Sequence, residues 1–254
     1  MKHNAPPLVM SFSALDSSGG AGLVADAQTI NALKCFPLCV LTANTIQNTA
    51  RVFKVQSVDS AFLKQQAQSI LAESDVKVFK IGVLGSINNV LMVSQIAKEN
   101  PHIPVVWDPV LKSGAGDSLN ENGIVQAFKE HLLSCCLIAT PNVKEAQSLG
   151  GVDFLKQHIP YLLVTGTEDK TKAVIHHFYH QQTCKKWVFP RLKNSFHGSG
   201  CTLSSAIACN LAHQMPILNA IDSALAYTFS TLKNAFQTGK NQKTPNRTKL
   251  WSMQ

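Results

Sequence analysis

Short apolar runs alternate with longer amphipathic stretches along most of the chain, and that rhythm limits the fold more than any other feature. Strand-length runs at 8–12, 38–42, 76–81, 104–107, 136–139 and 161–164 are interleaved with helical patterns. One such pattern passes through Leu23, Ala27, Ile30 and Leu33, and others span 61–73, 87–98 and 122–133. Apolar strands separated by helices predict an α/β fold with a mostly parallel central sheet and helices on both faces. After Thr165 the rhythm changes. Runs at 173–180 and 185–189, joined by 181–184, predict an antiparallel hairpin at the sheet edge, and helices are expected at about 202–213 and 217–236.

Composition narrows the class. With 45% hydrophobic residues, 254 residues can bury a substantial core, whereas no run reaches the ~20 apolar residues of a membrane helix. The start, residues 1–7, lacks the apolar segment of a secretion signal. Seven cysteines, an odd number lying mostly in apolar runs, fit a reducing compartment, and none has paired zinc-ligand spacing. The expectation is a cytoplasmic protein with no membrane contact. Half of the net charge of +8 comes from Lys240, Lys243, Arg247 and Lys249, in a tail without acids. We therefore expect one domain over 1–237 and a solvated, flexible basic tail over 238–254. No basic platform is interleaved with aromatics, so anionic small molecules are expected as partners and nucleic acid is not.

Two glycine-rich segments stand between a strand and a helix. Asp16-Ser17-Ser18-Gly19-Gly20-Ala21-Gly22 lets backbone approach a ligand, or serves as a plain tight turn. In Asn194-Ser195-Phe196-His197-Gly198-Ser199-Gly200-Cys201-Thr202, the N–H groups of Gly198, Ser199 and Gly200 open a helix and would converge on an anion such as phosphate. Neither segment has dinucleotide-binding or Walker spacing. Cys201 sits where a helix N-terminus draws a thiol pKa from about 8.5 toward 3.5–7.5, unless it is a small core residue; Cys209 reads as core. Asp108 ends the 104–107 strand, ahead of Lys112-Ser113-Gly114-Ala115-Gly116, at the edge where α/β sheets bind ligands. Asn142 and Glu145 end the next strand, and a capping box would also explain their spacing.

Taken in order, Asp16–Gly22, Ala25-Asp26, Gln47-Asn48-Thr49, Lys80-Ile81-Gly82-Val83-Leu84, Asp108-Pro109-Val110, Thr140-Pro141-Asn142-x-x-Glu145 and 197–204 resemble the ribokinase-like superfamily. The hydroxymethylpyrimidine and phosphomethylpyrimidine kinases of thiamine biosynthesis are the most similar members. The resemblance implies a ribokinase-like fold and ATP- and Mg²⁺-dependent phosphorylation of 4-amino-5-hydroxymethyl-2-methylpyrimidine and its monophosphate, by a homodimer. It makes Cys201 the general base, and Gly198, Ser199 and Gly200 the anion hole. Asp26 and Gln47 would read the aminopyrimidine, with Gly22 and Ala14 beside it. Asn142, Thr165 and Gly166 would meet ATP phosphates, and Glu145 and Asp108 would serve Mg²⁺. Ala14 replaces a usual Gly, Ser199 a usual Thr, and Thr165 a usual Lys. The rival readings are a pyridoxal or related vitamin kinase and a catalytically weak pyrimidine-binding protein.

Overall fold

The computed structural model describes residues 5–114, 116–166 and 172–248. In chain order the elements are β1 (Leu8–Asp16), α1 (Gly22–Ala32), β2 (Phe36–Gln47), β3 (Val52–Ser57), α2 (Ser60–Leu71), β4 (Val76–Ile81), α3 (Ile87–Glu99) and β5 (Val105–Trp107). They continue with α4 (Ile124–Ala127), β6 (Ile138–Ala139), α5 (Val143–Ser148), α6 (Val152–His158), β7 (Tyr161–Val164), β8 (Ala173–His180), β9 (Thr183–Pro190), α7 (Ser199–Ala212) and α8 (Ile217–Lys233). One nine-stranded sheet has the order β3-β2-β1-β4-β5-β6-β7-β8-β9. The strands from β2 through β7 pair in parallel, while β3, β8 and β9 are antiparallel.

Strand alternation sends side chains to two cores. Met10, Phe12, Phe79, Val105 and Trp107 pack with the α2–α3 side, whereas Val9, Val78 and Val106 pack with α1, α7 and α8. The second face turns polar toward the strand ends, where Ser11 and Lys80 replace apolar residues. Parallel strands carry their C-terminal ends to one edge, and the candidate site residues gather there.

β4 and β7 keep the bounds expected from the sequence. β1 and β2 run several residues further, and that extension carries Gln47 to the sheet edge. The expected helix over 122–133 is one α turn that widens into a π turn at Phe128–Leu132, with Phe128 edge-on to Trp107 at 5.2 Å. Two elements were not foreseen, β3 and α6. The tail expectation is corrected over its described part, 238–248. Phe236 and Thr244 exchange backbone bonds, Asn246 N donates to Thr231 O at 3.1 Å, and Arg247 is 2% exposed. Residues 249–254 lie outside the described set. No described helix is long and apolar enough to cross a membrane.

Candidate active site

Two cavities, of about 260 and 290 Å³, open beside each other at the C-terminal edge of the sheet. Asn142, Thr165, Ser199 and Gly200 line both, so the compartments meet at the start of α7. The first is walled by Ala14, Gly22 and Gln47 on one side and by Asp108, Glu145, Gly198 and Cys201 on the other. The second lies between the β8–β9 hairpin and α8 and is lined by Gly166, His176, Phe189 and Phe229 among others.

The two glycine-rich segments pack against each other. Gly22 has φ +59°, and a Cβ there would run into the Ala14 carbonyl. Gly198, the residue before α7, has φ +78°, and a Cβ there would strike the Gly20 carbonyl. Only glycine permits these two approaches. Asp16 accepts hydrogen bonds from Ser18 N and Ala21 N, both at 2.8 Å, and pairs with His197 Nε2 at 2.7 Å. Burial alone would raise the Asp16 carboxyl, but its bonds with His197 and Ser18 hold it below the ordinary value. This Asp16–His197 tie between the loops was not foreseen. Both residues stand in the quoted segments, yet nothing in their spacing shows that they meet.

Cys201 faces the first cavity and is partly exposed. The expectation of a lowered thiol pKa is corrected. Burial pushes it up to about 12, with Asp26 and Asp108 adding to the rise and Lys80 and the Gly22 N–H opposing it. A helix terminus lowers a thiol by a charge effect, and here desolvation outweighs that effect.

Asp26 is also corrected. It does not line either cavity; it is fully buried below the site. Its Oδ2 accepts from Ser11 Oγ at 2.7 Å and its Oδ1 from Ser205 Oγ at 2.9 Å. Lys80 Nζ reaches both oxygens, at 2.9 and 2.8 Å. Burial works against the Lys80 ammonium, yet Asp26, followed by Cys201 and Asp108, holds its pKa above the ordinary lysine value. All four lone-pair positions of the Asp26 carboxylate are thereby used, and none remains for a ligand.

Burial pushes Asp108 up to about 6 against the pull of Lys80, and Ser204 Oγ lies 3.4 Å from its Oδ2. Burial and the nearby Asp108 push Glu145 up to about 8, opposed by the Asn142 and Leu111 N–H groups. The capping box is formed. Glu145 N donates to Asn142 Oδ1 and Asn142 N donates to Glu145 Oε2, both at 2.9 Å. Capping therefore fixes these two side chains, and they still face the cavity. Of the remaining site expectations, Ala14, Gly22, Gln47, Thr165 and Gly198–Gly200 are brought together around the first cavity, and Gly166 lies in the second.

A doubly wound sheet in which α7 opens at a glycine turn between two compartments fits a small-molecule kinase of the ribokinase-like type. The chain belongs to the phosphomethylpyrimidine kinase family, whose sequence pattern it matches over residues 16–246. The hydroxymethylpyrimidine/phosphomethylpyrimidine kinase of Rhizobium meliloti is 30% identical over 90% of this chain and 91% of its own length. A probable thiamine biosynthetic bifunctional enzyme of rice chloroplasts is 33% identical over 90% of this chain, which spans only 45% of that relative. Among solved structures, an ADP complex of Bacillus subtilis pyridoxal kinase superposes with a TM-score of 0.87 at 22% identity, over 98% of this chain and all of that one.

Proposed function

We propose that this chain transfers the terminal phosphoryl group of ATP to the hydroxymethyl group of 4-amino-5-hydroxymethyl-2-methylpyrimidine, and then to its monophosphate, in the cytoplasm. The observation that carries this reading is the pair of compartments meeting at Ser199 and Gly200, which gives two ligands adjoining places at one glycine turn. Family membership supports the same reaction.

In this reading Ala14 and Gly22 flank the ring, and Gln47 recognises it. Gln47 Nε2 donates one N–H to Thr45 Oγ1, which leaves its Oε1 acceptor as the complement of an exocyclic amine and its second N–H for a ring nitrogen. Gly198, Ser199 and Gly200 receive the transferring phosphoryl group, while Asn142, Thr165 and Gly166 meet the donor phosphates. Where the resemblance expects a lysine at Thr165, the exposed Lys112 on the cavity rim provides a cation.

The carboxylates of Asp108 and Glu145 are oxygen donors in the wall of the first cavity, and their raised pKa values mark a place that favours a neighbouring cation. No cluster of three His, Cys, Asp or Glu occurs among the described residues, which suits Mg²⁺ held through water and phosphate oxygens rather than in a protein cage. Mg²⁺, when bound, supplies neutralisation of phosphate charge. The chain's own contribution is positioning: it aligns the hydroxyl with the turn and keeps water out. Cys201 stands at the hydroxyl as general base. Its pKa is raised to about 12, so the thiolate is a minor form at neutral pH; that form accepts the hydroxyl proton, becoming a thiol, late in a loose transfer as the hydroxyl oxygen bonds to phosphorus.

Phe36, Ile46 and Phe53 expose apolar side chains along β2 and β3, which supports a homodimer through that edge. The reaction is tested by measuring ADP release with the pyrimidine alcohol, its monophosphate and pyridoxal as separate substrates. Release with both pyrimidines is expected. A preference for pyridoxal, or tight pyrimidine binding without ADP release, would overturn the assignment.

A further inference from the structure

The described part of the tail touches several of the segments that wall the first cavity. Gln242 N donates to Thr49 O at 3.2 Å, two residues beyond Gln47, and the Gln242 side chain lies against Gly114. Lys243 brackets the second glycine-rich segment: its N donates to Ser195 O at 3.0 Å and its O accepts from His197 N at 2.9 Å. Four residues later Arg247 enters the protein behind the turn, its own carbonyl held by Tyr227 Oη at 2.7 Å.

The guanidinium spans both glycine-rich segments. Nη2 lies 2.6 Å from Gly20 O, 3.3 Å from Gly198 O and 3.5 Å from His197 O. Nε donates to Thr202 Oγ1 at 2.9 Å, and Nη1 to Gln28 Oε1 at 3.2 Å. All five acceptors are neutral oxygens, and no ion pair among the described residues includes Arg247. A buried cation with no carboxylate in direct contact, and among carboxylates only Asp26 and Asp16 at longer range to oppose its desolvation, is costly unless something nearby uses its field.

Peptide connectivity indicates what uses it. The carbonyl of His197 belongs to the peptide that carries the Gly198 N–H, and the carbonyl of Gly198 to the one that carries the Ser199 N–H. These N–H groups open α7, where no intrahelical acceptor exists for them. A charged donor on the carbonyl end of a peptide polarises its N–H end, because hydrogen bonds in series strengthen one another.

We propose that Arg247 is a positioning residue for phosphoryl transfer. From behind the turn it fixes and polarises the Gly198 and Ser199 N–H groups and places a positive charge with no direct ion-pair partner under the incoming anion. This rests on the reading that the turn receives the phosphoryl group.

The test compares the full-length wild type with Arg247→Gln and Arg247→Lys, by thermal melting, by calorimetric titration with inorganic phosphate, and by steady-state kinetics with the pyrimidine alcohol. At a temperature where the variants are folded, Arg247→Gln should bind phosphate about tenfold more weakly and lose roughly 10–100-fold in kcat, the range for loss of an outer-shell partner. KM for the pyrimidine should stay near its wild-type value, and Arg247→Lys should recover part of both losses by restoring charge without the fork. A folded Arg247→Gln protein with unchanged phosphate affinity and kcat would overturn the proposal. So would losses in which pyrimidine KM rises as much as kcat falls, since these describe a structural staple. If Arg247→Gln does not fold, the lysine variant decides: unchanged phosphate affinity overturns the proposal, and weakened affinity at constant pyrimidine KM supports it. A wild type that binds phosphate but phosphorylates no pyrimidine would defeat the kinase reading, and the phosphate titrations would still decide the role of Arg247.

Discussion

Replacing Asp26 by Asn tests whether this carboxylate serves the ligand or the fold. Both Asp26 and Lys80 have side chains with no exposure, and two short contacts join them. Asn removes the counter-charge and turns an NH₂ donor toward the Lys80 ammonium, so that a donor faces a donor. Removing one partner of a buried pair costs about 3–5 kcal/mol. In a chain of this size each kcal/mol moves the midpoint by about 2–4 °C, giving a fall of roughly 6–20 °C in Tm. Lys80→Met should also destabilise, and the double variant should recover much of the loss because neither charge is then left alone. Differential scanning calorimetry of the four proteins measures the cycle, and titration with the pyrimidine alcohol measures the ligand side. An Asp26→Asn protein that melts within 2 °C of wild type while losing pyrimidine affinity would refute the assignment of Asp26 to the buried pair, since about 3 kcal/mol is the smallest loss the pair allows.

Cys201→Ala should lower turnover by about 10²–10⁴-fold with little change in pyrimidine binding. With the thiol near 12, wild-type kcat should also climb with pH well past neutrality, and a plateau near pH 7 in a stopped assay would move the base to another group. Gln47→Ala should weaken pyrimidine binding by about 1–3 kcal/mol and leave ATP affinity alone; equal losses for both ligands in calorimetry would mean that Gln47 holds the fold. For Asp16 the sign follows from its lowered pKa: stabilisation is complete above the ordinary carboxylate value and is lost as pH falls through the depressed one. The stability deficit of Asp16→Asn in urea titrations should therefore be large at neutral pH and shrink at strongly acid pH, and a deficit independent of pH would remove the ionised Asp16–His197 contact from the account.

The parallel strands were legible because burial on both faces requires nearly unbroken apolar runs, as in Val76–Ile81 and Tyr161–Val164. β3 escaped notice because an edge strand need not be apolar, and Val52–Ser57 exposes Phe53, Lys54, Gln56 and Ser57. The two close backbone approaches at the site were readable too, since Gly22 and Gly198 are demanded by sterics that a sequence displays as glycine between a strand and a helix. Depth was not readable. A carboxylate one helical turn into α1 and a lysine on β4 look like ligand readers or surface charges until the sheet pairs β1 with β4 and α7 closes over them. The same blindness applies to Cys201, whose helix-terminal position is visible in sequence while the desolvation that dominates its proton affinity is not. Arg247 is the sharpest instance. In an acid-free tail it counts as one more solvated charge, and only the return of the chain past Thr231 and Tyr227 carries it under the turn formed fifty residues earlier. Local chemistry in this chain is therefore written locally, whereas the charges that tune it come from segments whose partners only the assembled sheet and helices determine.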